Sequence, residues 1–396
     1  MSRLKVLKKI YDRLGNDHIR GIFLSLAEYL GVRKDVIRMD TNSHCNIRCI
    51  MCNQQNKGEP KNYMPLDNFK KVMDMFALTT RILYLSCAYE PLITPNFVEY
   101  LKYAKSKGIP FISFCTNALL LDSTVASCLV ENEIDEIIIS FNGFCEQDYR
   151  RIMDGSDFKR VCENIRCLCE YKKFKKTQIP HIRLNTILLQ SNLKNFDSMY
   201  QFLMDYDIGS IQFRELMLMD GQNNPKEVEK ELLSNLSEEE YRELSFKINN
   251  MAKQLDQSGI EVILPAEFKE PSVVAGNGDV AAREDLPSAG NGDVATREDL
   301  PSADKGDVLP MQGKNSIKKK LNFKKHTCSI PYFSYWINQA GDVRACGYNK
   351  NGAIGNALHQ NFKSLNSKRK KFRKSALAGT CNCEHCTMNI DSSTII

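Results

Sequence analysis

The sequence predicts an α/β protein, an open partial (β/α)6 barrel followed by a small cysteine-rich module. Three observations predict it. Apolar strand-like runs alternate with amphipathic helix-like runs between residues 36 and 213, as βα units on a parallel sheet require. A C-x3-C-x2-C run, Cys45, Cys49 and Cys52, follows the first strand-like run. Beyond an abrupt change of composition, a second group of cysteines appears near the C-terminus.

The elements follow in order. DVIRMDT (35–41) reads as a strand and LDNFKKVMDMF (66–76) as a helix. RILYLSC (81–87) is a strand, and PNFVEYLKYAKSKG (95–108) a helix closed by its glycine. PFISFCTN (110–117) is a strand, DSTVASCLVEN (122–132) a helix with Asp122 as N-cap, and DEIIISFNG (135–143) a strand. KRVCENIRCLCEYKK (159–173) is a helix whose Cys162, Cys167 and Cys169 serve as small hydrophobes. HIRLNTILLQ (181–190), LKNFDSMYQFLMDY (193–206) and GSIQFREL (209–216) complete a sixth unit. Residues 224–257 look helical and charged, and EVILP (261–265) adds a strand. Such a barrel places its chemistry at the C-terminal ends of the strands.

The boundaries drawn from this pattern are 1–35 for N-terminal helices, 36–265 for the barrel, 266–325 for a linker and 326–390 for the second module. The linker holds AGNGDVAAREDLPS and AGNGDVATREDLPS back to back, a fourteen-residue repeat without apolar periodicity. Two such copies cannot stack a core, so a flexible connection is expected. Charged residues make up 26% of the chain and the net charge is +6. The basic runs at Lys318–Lys325 and Lys368–Lys374 read as solvated faces, and nucleic-acid binding is not expected. No stretch approaches the roughly 20 apolar residues of a membrane span. The N-terminal apolar residues are interrupted like those of an amphipathic helix, so a cytoplasmic protein without membrane contact is expected. Fifteen cysteines in a reducing compartment point to metal or redox ligands.

Three thiolates on one tight loop can bind three irons of a cubane cluster and leave the fourth iron open. Zinc would want a fourth Cys or His to close a tetrahedron, and His44, adjacent to Cys45, is poorly placed to share an ion with it. In MDTNSHCNIRCIMCNQQ (39–55), opening six βα units, the spacing resembles the radical S-adenosylmethionine (SAM) superfamily over residues 36–215. The resemblance implies a [4Fe–4S] cluster on Cys45, Cys49 and Cys52 whose open iron chelates SAM. It also implies reductive cleavage of SAM to methionine and a 5′-deoxyadenosyl radical, which takes hydrogen from a substrate. An electron donor such as flavodoxin or ferredoxin is implied as partner.

The family's Gly-Gly-Glu-Pro becomes Ala88-Tyr89-Glu90-Pro91 here, keeping at Glu90 the acceptor for the SAM ammonium. Thr116-Asn117 after the third strand and Ser140 ending the fourth match further SAM-site positions. Arg183 and Asn185 lie on the fifth strand, a region that often supplies SAM contacts. Met51 stands where an aromatic residue commonly packs near adenine, and a thioether can also lie on a π face. Taken singly, each polar residue could be a locally satisfied strand end. Their recurrence at successive strand ends argues otherwise. No catalytic base is identified; Cys87, Tyr89 and Arg183 are strand-end residues near the site.

Near the C-terminus, Cys328 and Cys346 bracket a Gly341-Asp342 turn signal, and Cys383-x2-Cys386 forms a knuckle. The turn would fold Tyr335-Trp336-Ile337 against Val343. Four such thiolates suit zinc or an iron–sulfur cluster. Beside a radical SAM barrel they resemble the shortened SPASM module called Twitch, implying one auxiliary [4Fe–4S] cluster on Cys328, Cys346, Cys383 and Cys386, with Cys381 as a spare. Three functions follow. The first is an oxidoreductase acting on a small sugar, polyol or aminocyclitol, with the auxiliary cluster accepting an electron. The second is a peptide- or protein-modifying maturase, which often carries an N-terminal recognition domain of about 80 residues; about 35 precede the first strand here. The third is a zinc-binding scaffold without catalysis.

Overall fold

The computed structural model describes residues 35–53, 60–86, 88–193, 195–216, 218, 221–265, 268, 334–346 and 352–377. The expected N-terminal helices, the repeat, Cys87, Cys328, Cys381, Cys383 and Cys386 lie outside these residues.

The expected alternation is present. The strands are β1 (Asp35–Met39), β2 (Thr80–Tyr84), β3 (Phe111–Thr116), β4 (Glu136–Ser140), β5 (His181–Leu188), β6 (Ser210–Glu215) and β7 (Glu261–Ile263). The helices between them are α1 (Leu66–Phe76), α2 (Phe97–Ser106), α3 (Ser123–Glu131), α4 (Glu146–Ile152), α5 (Phe158–Lys175), α6 (Gln190–Leu193), α7 (Phe196–Asp205), α8 (Pro225–Lys230) and α9 (Glu238–Gln257). Strands β1 to β7 pair in order, all parallel.

Helical spacing explains the packing. Phe69, Val72, Met73 and Phe76 of α1, and Phe97, Tyr100, Leu101 and Ala104 of α2, fall at i, i+3, i+4 and i+7 and are buried. They cover one face of the sheet, where Phe97 meets Phe114 of β3 with ring centroids 5.4 Å apart. Each buried Phe, Val, Met or Leu among them contributes roughly 1.5–3 kcal/mol by leaving water. Along β5 every second residue is buried, Ile182, Leu184, Thr186 and Leu188, while His181, Arg183, Asn185 and Ile187 are half-buried on the other, concave face. Asp122 caps α3 by accepting from the Val125 N–H, as the sequence suggested. Of the α5 cysteines, Cys169 is buried, while Cys162 is partly buried against the core. The short helix α4 was not foreseen, because its seven residues carry only two buried side chains, Tyr149 and Ile152.

The C-terminal residues join the same sheet. Strands β8 (Ser334–Ile337), β9 (Asp342–Arg344) and β10 (Ala353–Asn356) extend it to ten, in the order β10-β9-β8-β1-β2-β3-β4-β5-β6-β7. The hairpin forms at Gly341, φ +82°, with Ile337 opposite Val343 and Trp336 opposite Arg344. Asp342 already belongs to β9. Strand β8 runs parallel to β1, covering what would otherwise be an unpaired sheet edge. Helix α10 (Phe362–Leu377) follows and corrects one sequence reading. The Lys368–Lys374 run is not wholly a solvated face: Arg369 is 6% exposed, donates to Asp35 at 2.9 Å and lies 4.2 Å from the Tyr335 ring centroid. No described helix is long and apolar enough to cross a membrane.

Candidate active site

The site lies where the C-terminal ends of β1 to β6 converge. From β1 the chain enters the cysteine loop. Asn42 turns it by donating to the carbonyl of Glu90 (2.7 Å) and the hydroxyl of Thr94 (2.9 Å). Cys45, Cys49 and Cys52 are each partly buried. Burial pushes the Cys45 thiol up to about 11, with the charges of Glu90 and Cys52 adding to it. Burial likewise pushes Cys49 up, followed by Cys45 and Cys52, so the three thiols lie within electrostatic reach of one another. Among the described residues no three or more His, Cys, Asp or Glu side chains converge closely enough for one metal ion. A cubane takes one thiolate per iron corner and needs a wider spread than a single tetrahedral ion. His44 is not gathered with the thiols into a metal-sized group among the described residues; its Nε2 is bonded to the Tyr63 hydroxyl at 2.9 Å, and its buried Nδ1 has no hydrogen-bond partner. Three thiols on one loop, with no fourth donor gathered to them among the described residues, fit a cluster with one open iron better than closed zinc.

Glu90 follows β2. It is 3% exposed, and its carboxylate accepts from Thr116 Oγ1 (2.7 Å), the Asn117 N–H (2.7 Å) and the Leu92 N–H (3.1 Å). These donors are all neutral, and no cation pairs with Glu90 among the described residues. Burial pushes its carboxyl up to about 7 despite the three hydrogen bonds. Ala88 and Tyr89 need no glycine, because neither takes a positive φ and the Ala88 N–H donates to Asp40 at 3.0 Å. Asn117 carries the network onward: its side-chain amide donates to Asn46 Oδ1 at 2.8 Å and lies 3.8 Å from Cys45 Sγ. Glu90, Thr116 and Asn117 are therefore one hydrogen-bonded unit that touches the cysteine loop.

The remaining candidates lie farther along the concave face. Ser140 ends β4, 3.3 Å from Cys115 Sγ and opposite Asn185. Arg183 is held by Glu136 at 2.8 Å, leaving its Nε buried without a hydrogen bond, as is Asn185 Oδ1. Met51 is 8% exposed and packs in the core. Tyr89 uses its carbonyl to accept from Ser86. Of the second cysteine group, Cys346 is described; it is buried just after β9.

Sequence reasoning missed several participants. Asn46 links Asn117 to the loop. Glu136 accepts from Ser113 (2.8 Å) as well as Arg183, although it sits in an apolar run that hid a charged residue. Met153, following α4, lies 3.5 Å from Cys49 Sγ. Gln222 and Asn223 donate to carbonyls of the cysteine loop. None of these has a sequence signal, since each acts through a partner far away in the chain.

Comparison with known proteins adds the following. Residues 40–202 match the model of the radical SAM superfamily. A GTP 3',8-cyclase of Limosilactobacillus fermentum is 26% identical over 221 residues, covering 53% of this chain and 58% of that protein. The tungsten-containing aldehyde ferredoxin oxidoreductase cofactor-modifying protein of Pyrococcus furiosus is 22% identical over 181 residues, covering 45% and 51%. The chain thus spans about half the length of the curated relatives it matches. Among solved structures, Streptococcus suis SuiB bound to S-adenosylmethionine superposes with a TM-score of 0.58 at 11% identity, covering 86% of this chain and 68% of that one. For anSMEcpe with bound AdoMet the TM-score is 0.55 at 14% identity, with 87% and 81% covered. The fold is that of the radical SAM proteins.

Proposed function

We propose that this chain, which carries a radical SAM domain over residues 40–202, works as a radical SAM enzyme. The observation that carries the reading is the Glu90 carboxylate, buried without a cation among the described residues and joined through Thr116 and Asn117 to the loop of Cys45. When bound, the cluster and SAM supply reductive cleavage of the sulfonium bond and a 5′-deoxyadenosyl radical that takes hydrogen from substrate. Cys45, Cys49 and Cys52 would hold three irons. Glu90 would accept the SAM ammonium, its pKa falling as the cation arrives. Ser140, and the unpartnered Nε of Arg183 beside Asn185 Oδ1, suit the ribose and carboxylate, with Met51 toward the adenine.

The substrate we propose is small and hydroxylated, a sugar, polyol or aminocyclitol, oxidised with an auxiliary cluster as electron acceptor. That cluster would be held by Cys328, Cys346, Cys383 and Cys386. A small substrate is supported by Arg38, half-buried on the concave face with its guanidinium 4.4 Å from the Tyr84 ring centroid and 5.2 Å from that of Trp336. No carboxylate pairs with Arg38 among the described residues, so it could receive an anionic substituent such as a phosphate. The relatives named GTP 3',8-cyclase make a nucleotide one member of that class to screen. Peptide modification is the second reading, and SuiB bound to its precursor peptide SuiA is among the structures of like fold.

The test is anaerobic reconstitution with iron, sulfide and zinc analysis, then SAM and dithionite. About eight irons per chain are expected from two cubanes, together with 5′-deoxyadenosine. Cys45→Ala should abolish the product while keeping the fold. A colourless zinc protein that leaves SAM intact would return the chain to the scaffold class. Deuterium transfer from labelled polyols, nucleotides or peptides into 5′-deoxyadenosine separates the substrate classes.

A further inference from the structure

The cysteine loop is gripped from two sides by segments that follow other strands, and neither grip uses a thiol. On one side the N–H groups of Arg48 and Ile50 donate to the carbonyls of Asp154 and Ile152, at 2.7 and 3.0 Å, at the end of α4 and just past it. On the other side the chain returns after β6. There the N–H groups of Asn223 and Asn224 donate to the carbonyls of Cys52 and Ile50, both at 3.0 Å. The side-chain amides of Asn223 and Gln222 reach the carbonyls of Cys49 (3.0 Å) and Met51 (3.1 Å). All four consecutive carbonyls from Cys49 to Cys52 thus receive a donor from Gln222–Asn224.

We infer that Gln222–Asn224 is a clasp that holds the loop in its cluster-bearing shape, with Gln222 and Asn223 as positioning residues. This rests on the cluster reading above.

The base of the clasp is rigid. Asn224 caps α8 by accepting from the Glu227 N–H, Pro225 opens that helix, and Val228 is buried beneath it. The two grips are also tied to each other. Arg151 on α4 donates to Glu231 at 2.5 Å and lies 3.7 Å from Glu227. A closed frame therefore surrounds the loop, running from Ile152–Asp154 through Arg151 and α8 to Gln222–Asn224. Its physical role is pre-organisation. Irregular backbone between Cys49 and Cys52 would otherwise be ordered when iron binds, at the expense of cluster affinity. With its carbonyls already engaged, the loop is ordered as the barrel folds, and the thiols stay near their positions when iron is lost. Gln222 is 5% exposed, so its amide has little access to water as an alternative partner.

The test uses the full-length reconstituted protein. Gln222→Glu and Asn223→Asp keep size but replace each N–H donor by an oxygen facing a carbonyl. Gln222→Met removes the donor without adding charge. Asn235→Asp makes the same change at an amide bonded to the Glu229 carbonyl of α8 rather than to the cysteine loop. The readouts are the rate of cluster loss to an iron chelator, the SAM-sensitive EPR signal of the reduced cluster, and the melting temperature of the iron-free chain.

Loss should be about three- to tenfold faster for each clasp variant, faster still for the double variant, and unchanged for Asn235→Asp. The EPR signal should shift or broaden, and the iron-free melting temperature should fall by no more than a few degrees, since the clasp bonds are made before iron arrives. Wild-type loss rates and EPR in Gln222→Met and Asn223→Asp would overturn the clasp while leaving the cluster reading intact. Equal acceleration by Asn235→Asp, or a fall in iron-free stability that accounts for the faster loss, would also overturn it. A wild-type chain that binds no cluster would remove both.

Discussion

Two buried carboxylates of the barrel are held in opposite ways. Glu136, 6% exposed, faces Arg183 at 2.8 Å and also accepts from Ser113. Burial raises its pKa, but the Arg183 charge works against the rise. Glu90, 3% exposed, has three neutral donors and no cation among the described residues, and burial carries it to about 7. Hydrogen bonds from neutral groups recover only part of the hydration a carboxylate loses, whereas a guanidinium also supplies opposite charge. Glu136 therefore has its counter-charge within the chain, whereas Glu90 has none among the described residues and, on the proposed reading, gains one when SAM binds. The contrast separates a carboxylate that holds the barrel together from one positioned to bind.

The largest effect that would break this contrast is on stability. Arg183→Met strands the Glu136 carboxylate and should cost about 3 kcal/mol in urea unfolding, with Arg183→Met/Glu136→Gln recovering most of the loss. An Arg183→Met chain as stable as wild type would show that the pair contributes nothing.

Acidity sharpens the other half. Between the ordinary carboxylate value of 4.5 and the folded value of about 7, the unfolded chain releases the Glu90 proton while the folded chain keeps it. The iron-free protein should therefore lose stability as pH rises through that window, by on the order of 2–3 kcal/mol, and level off above it. Glu90→Gln should lack this component when melting is compared at pH 5 and pH 8.

The smallest effect is on affinity. Glu90→Gln should weaken SAM binding about 10- to 100-fold by calorimetry on the reconstituted protein, as loss of a charge-assisted hydrogen bond predicts. Glu136→Gln should change it less than about threefold on the same scale. Equal losses would mean that the two carboxylates do not differ as described.

Much of the barrel was legible because helix and strand periods are local. The α1 boundaries match the predicted Leu66–Phe76, whose apolar spacing is continuous, and Asp122 caps α3 as its position suggested. The strand-end residues Glu90, Thr116 and Asn117 were legible as a set, but their union was not. The 2.7 Å bonds that make them one unit depend on how β2 and β3 are brought side by side. Helix α4 escaped notice because two buried residues in seven leave almost no periodic signal.

The sequence alone determined the alternating parallel architecture, the C-x3-C-x2-C loop after the first strand, and which polar residues end β2, β3 and β4. These are properties of residue order over a few turns or strands. The tertiary structure decided the rest: that β8 lies against β1 some 300 residues away in the chain, that Arg369 of a basic run is buried on Asp35, and that Glu136 finds a cation where Glu90, among the described residues, finds none. It also decided that the four carbonyls from Cys49 to Cys52 are met by Gln222–Asn224. A hydrogen-bonding group carries no record of its distant partner in its own neighbourhood of the sequence. Folding chooses that partner by removing water and leaving each buried group to whatever donor or charge the packed elements bring within reach.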